Sequence, residues 1–298
     1  MIKRFLRSAA DRAWRFLLSS PEVQRTLTGR QNSQQQPTQL LLKWRYRELV
    51  ANGRVLPRLE DVEFRCHSQN GEDGILLFLF SAIGTTNKVV VEIGSSDGTE
   101  CNSANLILNH GWTGLLLDAS EDDVARGRRF YARSHDAWVY PPRLVCAHVT
   151  RENVDSIVAA GGTTGNIDLL SIDVDGMDYW IWEALQVVSP RVVVVEYQGS
   201  FDAATSVTAA YRADFRHDAT YSNSGASLAA LVKLAARKGY RLVGAERYGI
   251  NAFFMRNDVG SDLFPEAAVE SCLQHPKMKA AIEWRKAGGG SGDWVEVP

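Results

Sequence analysis

The chain is poor in cysteine, has no long apolar run and carries almost no net charge, and each shortage narrows what it can be. Its four cysteines, Cys66, Cys101, Cys146 and Cys272, lie far apart and form no C-x-x-C pair. They suit neither a disulfide frame nor a thiolate zinc site, and read as reduced thiols of a cytoplasmic protein. Cys101 follows a glycine loop, but packing accounts for it more simply than nucleophilic chemistry. No stretch reaches the roughly 18 apolar residues of a membrane span. A formal net charge of −2 argues against nucleic acid as the main partner, which would call for a basic face. No repeat of solenoid type is present.

What remains is an ordinary globular composition, 45% hydrophobic and 23% charged, over 298 residues, enough for one large α/β domain with extensions. Residues 1–28 read as a helical arm. Ile2, Phe5, Leu6, Ala9, Ala13, Phe16 and Leu17 recur at helical spacing, with Lys3, Arg4, Arg7, Arg12 and Arg15 between them against one acid, Asp11. The arm lacks the unbroken apolar core of a signal peptide. A basic amphipathic helix of this kind lies on an anionic membrane surface, which would place the protein at the inner face of the membrane, or docks on protein. Residues 29–39, rich in Gln, read as a polar linker that does not pack. Residues 40–260 form the main domain, with a helix over 40–50, and 261–298 a helical extension and tail.

Within that domain the chain becomes regular at Ser68. Asn70 and Asp73 read as a capping pair for an apolar helix over 75–83. Strand 88–93 leads to a helix over 103–109 closed by Gly111. Strand 114–118 leads to a helix capped by Ser120 with Asp123, and strand 143–149 to one capped by Thr150 and closed by Gly161-Gly162. Strand 167–172 precedes a helix over 179–188, and strand 191–196 follows. An irregular loop over 198–222 leads to a helix over 226–238 ended by Gly239. Segments 240–243 and 251–255 read as an antiparallel hairpin turning near Gly249. The pattern predicts an α/β fold: a Rossmann-like, doubly wound, mostly parallel sheet with a C-terminal antiparallel hairpin, preceded by the helical arm. Ligands of such sheets sit at the carboxyl ends of the strands, where the strand order reverses.

Four of the apolar strands deliver a carboxylate at that edge. Val89-Val90-Val91-Glu92 continues into Ile93-Gly94-Ser95-Ser96-Asp97-Gly98, a loop whose glycines let backbone approach a ligand. Leu115-Leu116-Leu117 ends in Asp118, Leu169-Leu170-Ser171-Ile172 in Asp173-Val174-Asp175-Gly176, and Val192-Val193-Val194-Val195 in Glu196. The loop lacks the third glycine of the dinucleotide fingerprint, which disfavours a nicotinamide-dependent oxidoreductase. A non-catalytic binding module on the same fold is the other alternative. Asp173 and Asp175, two residues apart, share a face if the strand persists that far. Converging carboxylates repel, so one holds a proton or a cation lies between them.

Glu92-Ile93-Gly94, Asp118 and the Asp-Val-Asp-Gly run resemble those of class I methyltransferases that use S-adenosylmethionine, and more narrowly the FkbM-type family and its relatives. Further patterns in that likeness are Ser68-Gln69-Asn70-Gly71-Glu72-Asp73-Gly74, Cys101-Asn102-Ser103, Gly111-Trp112-Thr113-Gly114, Gly225-Ala226-Ser227-Leu228 and Asn251-Ala252-Phe253-Phe254, spanning roughly residues 62 to 258. The resemblance implies an S-adenosylmethionine-dependent methyltransferase whose acceptor is a hydroxyl of a carbohydrate or glycan precursor. It implies that Gly94, Ser96, Asp97 and Gly98 pass beside the cofactor, and that Glu92 accepts from its ammonium group or orders the loop. Asp118 would hold the ribose hydroxyls, with capping as the alternative, and His148 would flank the adenine. Gln69, Glu72 and Asp73 would close over the cofactor, though Asp73 also fits a plain helix cap. Asp173 would touch the cofactor and, with Asp175 and His217, do the proton chemistry. Some relatives hold Mg²⁺ on such acids, here Asp173, Asp175 and Glu196; the alternative has Asp175 capping a helix and Glu196 pairing with an arginine. Tyr179 would stack on an acceptor sugar.

Overall fold

The computed structural model describes residues 21–216, 224–290 and 292–298. Most of the arm and His217 lie outside them. Among the described residues no helix is long and apolar enough to cross a membrane.

Helix α1, Pro21–Ala51, runs straight through the segment expected to be an unpacked linker. Composition misleads there because the glutamines find partners. Gln36 donates to the Asn109 carbonyl at 3.0 Å. Gln39 is buried; its amide donates to Asn105 Oδ1 at 3.0 Å, and its oxygen accepts from Asn105 Nδ2 at 2.9 Å and His110 Nε2 at 2.7 Å. Burial, with Lys43 and Lys88 nearby, pushes His110 down to about 4, so it makes this bond as a neutral donor. We expect Gln39→Ala to lower stability by about 1–3 kcal/mol, since it strands buried polar groups. An unchanged urea midpoint would show that α1 does not dock there.

Helix α2, Glu72–Ile83, is buried along almost its whole length, as its Ile-Leu-Leu-Phe-Leu-Phe run requires. Its N-cap position is Gly71, not Asn70. Asp73 instead accepts backbone N–H groups from Cys66, His67 and Ser68 at 2.6, 2.6 and 2.8 Å, folding the preceding loop onto the helix.

The alternation then follows: β1 Val89–Ile93, α3 Ala104–His110, β2 Thr113–Asp118, α4 Glu121–Tyr131, β3 Arg143–Cys146, α5 Val154–Ala160, β4 Gly165–Ile172, α6 Asp178–Ala184 and β5 Val188–Glu196. Ser120 caps α4 as expected, accepting from the Asp123 N–H. Thr150 does not cap α5; Asn153 takes the N-cap position. A short strand, β6 Val207–Ala209, appears within the segment read as irregular. Helix α7 Leu228–Lys238 ends at Gly239 in the left-handed conformation, and β7 Tyr240–Ala245 and β8 Asn251–Arg256 form the hairpin. The extension supplies α8 Val269–Cys272, α9 Pro276–Lys286 and β9 Trp294–Glu296, which pairs with β6. That pairing joins residues some 90 apart, and no local pattern announces it.

The main sheet has seven strands in the order β3-β2-β1-β4-β5-β8-β7; β1 to β5 are parallel and β8 runs antiparallel to both its neighbours. The doubly wound fold expected from the β-α order is therefore present, with its reversal between β1 and β4. One face buries Val91, Ile93, Leu170, Ile172, Val193 and Val195 against Trp182, Leu231 and Leu234. The other buries Val90, Leu116, Leu169, Val192 and Val194 against Phe78, Leu79 and Ile107. With both faces covered, polar side chains reach solvent only at the strand ends, which is where a site can form.

Candidate active site

At the carboxyl ends of β1 to β5, beside the reversal, lies a cavity of about 840 Å³. That is in the upper part of the ~300–1,000 Å³ range of small-molecule sites. Gln69, Glu92, Gly94, Ser96, Asp118, His148, Asp173, Asp175 and Glu196 all line it, although they come from six segments of the chain. Asp97 and Gly98 do not. Asp97 turns to its own loop, accepting from the Thr99 N–H at 3.0 Å and hydroxyl at 2.6 Å. Gly98 faces the core, where an added Cβ would come within 2.9 Å of Leu116, and its carbonyl accepts from the Tyr131 hydroxyl at 2.5 Å. Tyr179 also points away, its hydroxyl accepting from Arg237 at 2.6 Å beside α7.

The β1 loop is organised by acids. Buried Glu92 accepts from the N–H groups of Asn102 and Ser103 at 2.8 and 3.0 Å and from the Ser103 hydroxyl, so it takes the loop-ordering role. Asp118 bridges two turns, one oxygen accepting from the Ser96 N–H at 2.7 Å and the other from the Ser120 N–H at 2.8 Å. Gly94, at φ +86°, is required by protein, not ligand: a Cβ there would overlap the carbonyl oxygen of Asp173. Ser96 and Asp175, at φ +50° and +59°, are two of the three left-handed non-glycine residues described. Such backbone collects where a site holds its loops in place.

The acids of β4 and β5 meet at the floor. One oxygen from each of Asp173, Asp175 and Glu196 lies within 4.8 Å of the others. Burial raises Asp173 well above the usual carboxylate range, and the nearby charges of Asp178, Asp175, Glu92 and Glu72 add to it. Glu196 is raised for the same reason, burial first and then Asp173, Asp178 and Asp175, and it shares a hydrogen bond with Asp173. Asp178, not Asp175, closes the loop, accepting from the Val174 and Gly176 N–H groups at 2.8 and 2.9 Å. Glu72 completes the ring of acids, accepting from Asn251 Nδ2 at 3.0 Å. Asn251, which opens the Asn-Ala-Phe-Phe run, faces Glu196 in the β5–β8 register, a place at the acids that the run itself does not reveal.

The third strand's end is different. His148 Nε2 donates to the Ala213 carbonyl at 3.0 Å, leaving Nδ1 to accept from Arg216 at 2.6 Å. The imidazole thereby holds the segment after β6 against the cavity, a structural duty at the position expected to flank an adenine.

No protein-family model matches the chain, and no curated protein does. Among solved structures, magnesium protoporphyrin IX methyltransferase from Synechocystis is similar at 12% identity and TM-score 0.38, over 62% of this chain and 77% of that one. TnmH aligns at 16% identity and TM-score 0.38, over 85% and 66%. The glycopeptide N-methyltransferase MtfA aligns at 11% identity and TM-score 0.37, over 59% and 83%. Likenesses this low transfer no activity to this chain.

Proposed function

We propose that the protein is an S-adenosylmethionine-dependent methyltransferase acting on a hydroxyl, most suitably of a carbohydrate or glycan precursor. The observation that carries this reading is the charge of the cavity floor. Glu72, Glu92, Asp173, Asp175 and Glu196 converge there, and none has a Lys or Arg partner among the described residues. A donor bearing a sulfonium and an ammonium group suits such a floor, whereas the diphosphate of a nicotinamide cofactor would be repelled by it. Bound there, the donor supplies a methyl group on positively charged sulfur.

The chain's own residues supply the rest. Asp118 keeps a free lone pair on each oxygen for ribose hydroxyls, and the β1 loop held by Glu92 forms the adjoining wall. Asp173 and Glu196, sharing a hydrogen bond, titrate above ordinary carboxylates, which suits one of them to accept the acceptor's hydroxyl proton near neutral pH. The remaining task is alignment of oxygen with the methyl carbon. Asp173, Asp175 and Glu196 are also an oxygen-only donor set of the kind that suits Mg²⁺, which would lend Lewis acidity toward a hydroxyl.

Calorimetry with S-adenosylhomocysteine and NAD in parallel, with and without magnesium, tests the reading. S-adenosylhomocysteine should bind and NAD should not. Asp118→Ala should weaken that binding by about 1–3 kcal/mol, the cost of leaving ribose hydroxyls unpaired. NAD binding alone would overturn the proposal; unchanged affinity in the variant would remove Asp118 from the site.

A further inference from the structure

The cavity is not uniformly acidic. Its acids come from the strand ends and their loops and its cations from segments outside the β-α units, and that difference describes the second substrate. At the β1 and β2 ends stand Glu92, Glu100 and Asp118, and on the floor Glu72, Asp173, Asp175 and Glu196. The cations lining the cavity come from two segments that lie outside the regular β-α units. Arg212 and Arg216 follow β6, and Lys277 opens α9 in the C-terminal extension.

Arg216 is engaged with His148 at the β3 end. Arg212 and Lys277 are placed differently. Arg212 sits over the Phe215 ring, 5.1 Å from its centroid, and that ring lies against Gly176, where an added Cβ would come within 2.8 Å. Arg212 is thus held beside the Asp173–Gly176 loop. Lys277 neighbours Met278, whose thioether packs on Gly199 and Gly249, next to the β5 end. The extension is fastened there by Arg285, which donates to Ser200 Oγ at 2.7 Å and lies over the Phe201 and Trp294 rings. Both cations are exposed, and neither forms an ion pair with a carboxylate among the described residues. Two exposed cations, both on the β4–β5 side of a cavity whose floor is acidic, give an anion a place to bind apart from that floor.

Resting on the methyltransferase reading, we propose that Arg212 and Lys277 form an anion clamp on the β4–β5 side of the cavity, so that the acceptor presents its hydroxyl to Asp173 and Glu196 from an anionic body: a sugar bearing a phosphate or diphosphate, or one bearing a carboxylate. The arrangement suits a cationic donor and an anionic acceptor in one cavity. The acid floor draws the donor, and the two cations hold the acceptor's charge away from that floor. Arg212 provides the planar, multi-donor contact that phosphate and carboxylate both accept, and Lys277 a second point charge.

The test uses the full-length protein saturated with S-adenosylhomocysteine, titrated with inorganic pyrophosphate, digalacturonate and, as a neutral control, maltose. At least one anion should bind more tightly than maltose and lose affinity with added salt. Arg212→Gln with Lys277→Gln should weaken it by about tenfold or more while S-adenosylhomocysteine affinity is unchanged. Preference for pyrophosphate identifies a phosphorylated acceptor, and preference for digalacturonate an acidic sugar. Neither anion exceeding maltose, or anion binding indifferent to both substitutions, overturns the clamp while leaving the donor site intact. Failure of S-adenosylhomocysteine itself to bind is a separate result; it overturns the methyltransferase reading and the clamp with it.

Discussion

Replacing Gly94 by alanine is expected to cost about 2–5 kcal/mol of stability and to abolish donor binding. The left-handed backbone at φ +86° charges a non-glycine residue about 1–2 kcal/mol. The added Cβ also overlaps the Asp173 carbonyl, and displacing packed backbone adds about 1–3 kcal/mol. Asp173 N–H donates to the Ile93 carbonyl at 2.9 Å, so a shift at Gly94 separates the β1 and β4 loops that adjoin at the cavity edge. Gly239→Ala is the control matched in φ: it stands at +82° in the left-handed region, but an added Cβ meets nothing within 4 Å. It should lose only the conformational part. Thermal melts and S-adenosylhomocysteine titration of the two variants separate the effects; equal losses would mean that the close approach to Asp173 has no energetic weight.

The second large effect concerns the pH dependence set by the floor acids. Burial, then neighbouring carboxylates, raises both Asp173 and Glu196, and burial carries Asp178 up to about 6. The folded protein therefore holds these protons more tightly than the unfolded chain, whose carboxylates titrate near ~4. Their stabilising contribution is complete below that value and is lost as pH rises through the raised ones. Glu196→Gln removes one charge from the cluster. It should stabilise the protein at pH 8 by about 1–2 kcal/mol, have little effect at pH 4, and lower methyl transfer by about 10²–10⁴-fold. A cation bound among these acids competes with the shared protons, so magnesium, where it binds, should stabilise more at pH 8 than at pH 5. A variant less stable than the parent at pH 8 would show that Glu196 is held by a favourable partner, and the account of the floor as an excess of negative charge would fail.

Periodicity and chain punctuation were enough to read most of the architecture. Apolar runs ending in acids, with Gly111, Ser120 and Gly239 at helix ends, depend only on neighbouring residues, and the doubly wound class follows from their alternation, while the strand order is seen only in the structure. The same logic brought Glu92, Asp118, Asp173, Asp175 and Glu196 to one edge, because parallel strands all present their carboxyl ends together. What each acid does there was decided by tertiary contacts. Asp97 and Asp118 look alike in the chain, yet one folds onto Thr99 while the other bridges two turns into the cavity. Gly94 and Gly98 are equally glycine; one is needed by the Asp173 carbonyl and the other by the core. The glutamine-rich stretch became helix because Asn105 and His110, some 70 residues away, supply its partners. Arg212 and Lys277 reach the cavity from segments joined to the rest by the pairing of β6 with β9 and the stacking of Arg285. Local hydrogen-bond and packing preferences are written in adjacent residues, whereas the use made of a side chain depends on distant segments that the chain order does not place beside it.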